Sequence, residues 1–243
     1  MKCLACDFGG SSVKYAIVDD QANITEHGKL PAPLDSIDQF RDTLGELYDR
    51  FEDKIDGIAI SLPGYIDPNI GFLFESGVYM PLYNKSIPEI LKERCPVNIA
   101  VENDGKCGAL SETWNGALKD VNDGAVIILG SGIAGGIVKD KHIHWGKGFA
   151  AGELSYLLTS TDSHTYKDMT LMHVGMLGMT YKMCKYKNLD FSVQDSSDMM
   201  PLFDKFFADD FPKPFGEPQK IKADGHQIFQ WLKEGDPDAM RVY

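Results

Sequence analysis

The chain has 243 residues, 43% of them hydrophobic, and a formal net charge of -12. That is enough apolar material for one large core or two smaller ones. The 24 Lys and Arg are dispersed, with no basic run, which argues against an electrostatic patch for nucleic acid or an anionic membrane. Nucleotide binding stays open, because glycine-loop amides and a divalent ion supply positive charge locally. No apolar stretch is long enough for a bilayer, and Asp7 interrupts the first apolar run too early for a leader, so a reducing cytoplasm is the expected setting. Five cysteines, an odd number without framework spacing, read as free thiols, Cys3 and Cys6 as strand residues.

In chain order, residues 3–6 and 13–18 read as strands around a Gly9-Gly10 turn, with a third strand over 24–30. Ile37, Phe40, Leu44, Leu47, Tyr48 and Phe51 recur at helical spacing behind a Ser36 cap. Residues 55–62 form a buried strand ended by Pro63-Gly64, and 65–85 an irregular stretch with a hairpin, a common place for binding surfaces. A short helix over 87–94, a strand over 97–101 and a helix over 105–117 follow. Residues 125–129 and 133–138 are strands around Gly130-Ser131-Gly132. Beyond residue 160 the sequence predicts helices over 169–187, 195–208 and 221–233, a linker over 212–218, and the start of another helix at 236.

Four stretches could carry chemistry. At Asp7-Phe8-Gly9-Gly10-Ser11-Ser12, a glycine turn directs backbone amides into one space, hydroxyls join them, and a carboxylate stands ready for a magnesium ion, directly or through water. An ordinary hairpin would look the same. Residues 127–138 repeat the arrangement with Gly130-Ser131-Gly132 and Gly135-Gly136. They lack the following helix of a dinucleotide fingerprint and the lysine of a P-loop. Asn103-Asp104 sits where a strand passes into a helix. Its carboxylate could accept a hydroxyl proton during phosphoryl transfer, or simply cap the helix. Glu153 follows a small-residue run, as if backbone approached a ligand there, although a surface loop is the plain alternative. His142 and His144 lack an evident third metal ligand and stay as loop or strand residues.

Taken together and in order, these stretches resemble the ROK family of sugar kinases and sugar-responsive repressors. Asp7-Phe8-Gly9-Gly10-Ser11 resembles its first phosphate motif, and Pro63-Gly64 its P-G turn. Asn103-Asp104 resembles its N-D pair, residues 130–136 its second phosphate motif, and Ala151-Gly152-Glu153 its A-G-E sugar motif. The resemblance implies an α/β chain of the actin-like ATPase (hexokinase or ribonuclease H-like) fold, two lobes with a cleft, divided into residues 1–115 and an incomplete 116–243. It implies an ATP-dependent, glucokinase-like sugar kinase with Asp104 as general base and Asn103, Asp104, Glu153 and Gly64 at the sugar. Asp7, Gly9, Gly10, Ser11, Ser12, Lys14, Gly130, Ser131 and Gly132 fall to ATP, with Mg2+ near Asp7 through water. A cytoplasmic homodimer without nucleic-acid or membrane partners is the matching expectation.

Three departures qualify the resemblance. Tyr156 stands where many members carry a histidine, which puts sugar preference in question. The family's cysteine-rich zinc motif is missing, so no structural zinc is expected. Residues 232–239 resemble the start of a long family helix, and the strand and adenosine loop that follow it in the family are not in this sequence. Truncation, or an adenosine site built some other way, is therefore expected, and a non-catalytic sugar-binding remnant is the alternative function. A repressor is disfavoured, because Met1 stands directly before the first strand and the charge is acidic.

Overall fold

Apolar residues alternate with others along the first two segments, and the chain folds there as an antiparallel meander: β1 (Lys2–Phe8), β2 (Ser12–Asp19) and β3 (Ile24–Pro31). The computed structural model describes residues 1–162, 165–190, 211 and 216–243. Met1–Val126 with Gly135–Gly152 make one compact unit, and Ile127–Ala134 with Glu153–Tyr243 the other.

In the first unit β4 (Gly57–Leu62) pairs parallel to β1, giving a five-stranded sheet of order β3-β2-β1-β4 and then a last strand over Asn98–Asn103. Helix α1 (Ile37–Phe51) begins where the Ser36 hydroxyl accepts the Gln39 N–H, as the capping rule anticipates. Its Phe40, Leu44, Leu47 and Phe51 are buried in one core with Leu4, Phe8, Ile58, Ile60 and Leu62 of the sheet. The irregular stretch forms a three-stranded ribbon, β5 (Ile66–Asp67), β6 (Phe72–Leu73) and β7 (Lys85–Ser86). Helix α2 (Ile87–Leu91) leads to β8 (Asn98–Asn103), which runs directly into α3 (Asp104–Asn115). Cys6 is buried and Cys3 half-buried, and all five cysteines are free thiols.

A further sheet has the order β11-β10-β9, with β9 (Gly124–Leu129), β10 (Ile133–Lys139) and β11 (His142–Ile143). Residues 124–126 and 135–139 of its hairpin belong to the first unit, and 127–129 and 133–134 to the second.

In the second unit the helix expected over 169–187 is two, α4 (Thr170–His173) and α5 (Met176–Lys187). The break falls at Gly175, where an added Cβ would lie 2.7 Å from the Ser131 carbonyl oxygen. Helix α6 (Gly225–Lys233) starts later than expected, because Asp224 caps it by accepting the Gln227 N–H. Asp236 caps α7 (Pro237–Val242) in the same manner. Met179, Met183, Ile228, Ala239 and Val242 form one small core, and Met172, Tyr181, Cys184, Leu189 and Ala223 another. The helix expected over 195–208 lies outside the described residues, as do residues 212–215 of the expected linker. No helix among the described residues is long and apolar enough to cross a membrane.

Candidate functional site

Parallel pairing sets Asp7 of β1 beside Ser61 of β4, and Ser61 beside Glu102 of β8. These residues stand at the carboxyl ends of three parallel strands, where open α/β sheets bind ligands. The Ser61 hydroxyl donates to Asp7 Oδ1 at 2.9 Å. Lys14 faces Asp7 across β2, its Nζ 3.6 Å from Oδ2. The turn between β1 and β2 closes with the Gly9 N–H donating to the Ser12 carbonyl at 3.0 Å. Its Gly9 carbonyl accepts the Tyr79 hydroxyl at 2.8 Å, and the Tyr79 ring meets Phe8 edge-on. This anchor fixes a turn that exposes Gly10 and Ser11.

Asn103 is 1% exposed and caps α3, its Oδ1 accepting the Lys106 N–H at 3.0 Å. Its Nδ2 donates to the Gly64 carbonyl at 3.0 Å. One amide thus ties the start of α3 to the Pro63-Gly64 turn. Gly64 needs to be glycine: its φ is 107°, and a Cβ would lie 1.9 Å from the Glu75 carbonyl oxygen.

Asp104, the first residue of α3, accepts the Gly105 N–H at 2.7 Å. Burial pushes its carboxyl above the ordinary aspartate value, the nearby charge of Asp7 adds to the shift, and Lys106 opposes it. The two carboxylates therefore share one electrostatic neighbourhood. Glu102 is buried beside them, accepting the Asn103 N–H and the Trp145 Nε1–H at 2.8 and 2.7 Å. Burial raises its carboxyl too, with Lys106 among the groups that lower it. Lys106 is 0% exposed, and a lysine is rarely so deep unless carboxylates balance it. Burial pushes the Cys107 thiol up to about 12, offset in part by a hydrogen bond with Ser61, so it is no nucleophile at neutral pH.

Sequence reasoning passed over Ser61, Glu102, Lys106 and Trp145. Strand register places Ser61 beside Asp7 and Glu102 beside Ser61, and register between non-adjacent segments leaves no local signal. Lys106 did leave one: a charged residue among the small residues at the start of a helix.

A second group of contacts seats α3. A Cβ on Gly105 would lie 2.6 Å from the Gly135 N and O atoms, and one on Gly136 2.4 Å from the Ala109 Cβ. Gly152, at φ 85°, brings its Cα so close that a Cβ would stand 2.9 Å from the Gly135 carbonyl oxygen. Gly135-Gly136 therefore serves close packing of α3 and of the loop that carries Gly152.

In the second unit the Gly130 N–H donates to the Gly132 carbonyl at 3.0 Å. The Gly130 and Ser131 carbonyls accept the Met176 and Leu177 N–H groups, both at 3.0 Å, so the turn caps the first amides of α5. The Ser155 hydroxyl donates to the Ile133 carbonyl at 2.7 Å and accepts its N–H at 3.0 Å, clamping the base of the turn. Glu153, partly exposed, directly precedes a short 3-10 turn over Leu154–Tyr156. Among the described residues no group of three His, Cys, Asp or Glu is arranged to hold a metal ion.

These features define an α/β protein of the actin-like ATPase fold. The ROK glucokinase of Streptomyces griseus, solved with glucose and AMPPNP, superposes with a TM-score of 0.74 at 17% identity, over 100% of this chain and 74% of its own. The Lmo2764 protein of Listeria monocytogenes gives 0.77 at 23% identity, with 100% and 74% covered. The family model described as "ROK family" matches residues 3–166, and the chain belongs to that family. Among curated relatives, a beta-glucoside kinase of Listeria innocua is 30% identical over 159 residues, 65% of this chain and 54% of the relative. An N-acetyl-D-glucosamine kinase of Mannheimia succiniciproducens is 29% identical over 154 residues, 62% and 50% of the two chains. The chain thus spans about half the length of the curated relatives it matches.

Proposed function

We propose that this chain is an ATP-dependent sugar kinase, transferring the γ-phosphoryl of ATP to a hydroxyl of a hexose or related sugar, with Asp104 as general base. One observation carries the reading: a partly desolvated carboxylate of raised pKa, fixed at a strand-to-helix junction within electrostatic reach of Asp7. A base so placed takes the hydroxyl proton as the sugar oxygen forms its bond to phosphorus and the bond to the ADP oxygen breaks. Asn103 and Gly64 fix the substrate side, and Glu153 is assigned to the sugar by the A-G-E motif. Gly9, Gly10, Ser11, Ser12 and Lys14, with Gly130, Ser131 and Gly132, are assigned to the ATP phosphates. This assignment places the first set in a lobe of residues 1–115 and the second in a lobe of residues 116–243.

Asp7 suits a magnesium ion held through water, since such ions take one or two carboxylates plus substrate phosphates. Its half-exposed carboxylate is oriented by Ser61 and has acceptor capacity left. The ion would neutralise phosphate charge. The names of the relatives favour a glucose-type sugar, free or as a β-glucoside, or an amino sugar. A non-catalytic sugar binder is the second reading, motivated by the share of the relatives' length that this chain spans.

A coupled ADP-release assay with ATP, Mg2+ and a panel of hexoses, amino sugars and β-glucosides tests the proposal. Sugar-dependent release supports the kinase. Sugar binding without release, by folded protein, supports the binder.

A further inference from the structure

Three phenylalanines lie where two loops meet in the first unit. Phe74, just after β6, is 45% exposed. Its ring stacks on Phe149 at 5.8 Å between centroids with 10° between planes, and Phe72 meets it edge-on at 4.9 Å. Phe72 in β6 and Phe74 just beyond it flank Leu73, which is buried in the core.

Both loops are tied to the residues around Asp104. Phe74 precedes Glu75, whose carbonyl packs against Gly64, and the Gly64 carbonyl accepts from Asn103. Phe149 lies three residues before Gly152, which packs on Gly135, and Gly135 packs on Gly105. Phe149 also has a φ of 59°, a left-handed conformation that is an outlier for a bulky residue and is held only where surroundings impose it. The ring is thus carried in a costly backbone shape to a partly exposed position over Phe74, and is not among the residues of the buried core.

We propose that the Phe74–Phe149 pair, backed by Phe72, is the subsite for the apolar aglycone of a β-glucoside whose sugar sits at Asn103 and Asp104. This rests on the sugar-binding part of the reading above. Flat exposed ring faces beside a polar sugar site suit a planar apolar substituent, since offset stacking adds to the burial of the group. A free hexose has nothing to place there, and an acetamido group is small and polar.

The test is equilibrium binding by titration calorimetry, without ATP, of glucose, N-acetylglucosamine and phenyl β-glucoside to the whole chain. The wild type is expected to bind phenyl β-glucoside about two- to tenfold tighter than glucose, the range that one stacked aromatic pair supplies. Phe149→Ala and the milder Phe149→Leu and Phe74→Leu should bring that ratio toward one. Equal wild-type affinities, a preference for the acetamido sugar, or a ratio unmoved in folded variants overturns the subsite. Because the readout is binding, the preference can hold while ADP release fails, which sinks only the kinase. ADP release without any preference sinks only the subsite.

Discussion

At the scale of single residues, Asp104, the proposed base, carries a cost. A carboxylate whose folded pKa lies above its ordinary value binds protons more readily folded than unfolded. Stability then falls as pH rises through that window. The shift at Asp104 is upward from 3.8, with burial as its main cause. Asp104→Asn removes that cost and keeps an oxygen for the Gly105 N–H. Its unfolding temperature should exceed that of the wild type at pH 7, and the gain should vanish below about pH 3.8. Turnover should fall by about 10²- to 10⁴-fold, the usual worth of a general base, with sugar binding retained. Normal turnover in that variant would remove Asp104 from the mechanism. The wild-type activity should rise on its acid side through a pKa above the ordinary aspartate value, which a pH profile of kcat/KM reads directly.

Ser61 gives a second prediction at this scale. Ser61→Ala deprives Asp7 of its donor. One such bond is worth about 1 kcal/mol, so the Mg2+ concentration for half-maximal activity should rise about fivefold. An unchanged Mg2+ profile would mean that Asp7 does not serve the ion. The strand-to-helix junction at Asp104 was legible in the sequence because its position between an apolar run and a helical pattern is a local fact. Ser61 and Glu102 were not, since only pairing with β1 and β4 gives them a role.

At the scale of elements, the seating of α3 on β10 decides where Asp104 points. The contact works because Gly105, Gly135 and Gly136 let two backbones approach without side chains between them. Gly105→Ala would place a Cβ 2.6 Å from backbone atoms of Gly135, which cannot swing aside as a side chain can. Overpacking of this kind costs about 1–3 kcal/mol. Urea unfolding should show a loss of that order, and turnover should drop further than stability, because the helix that holds the proposed base is displaced. A variant as stable and active as the wild type would contradict the packing argument. Both glycine-containing hairpins were legible from Gly-containing breaks between apolar runs. The packing duty of Gly135-Gly136 was not, because a glycine that binds an anion and one that admits a helix look the same in sequence. The split of 169–187 into two helices escaped for a related reason. Its methionines continue the apolar pattern through Gly175, while the break depends on the Gly130-Ser131 carbonyls taking the first amides of α5.

At the scale of the whole molecule, the family was legible because five motifs fall in the right order, and order carries information that no single glycine turn does. The surface was less so. In β9, the edge strand of its sheet, Ile127 and Leu129 are 66% and 72% exposed. Residues of a strand two apart share a face, so the pair forms one apolar strip beside an edge that no strand among the described residues pairs. Such strips in water drive association, and the net charge of -12 opposes it only over the Debye length. The chain should therefore sediment as a concentration-dependent dimer or larger species, more so as salt screens the repulsion. Ile127→Lys puts a charge in the strip and should shift the equilibrium to monomer at the same protein concentration. A wild-type chain that stays monomeric across the accessible concentrations in high salt would show that this edge is not an association surface.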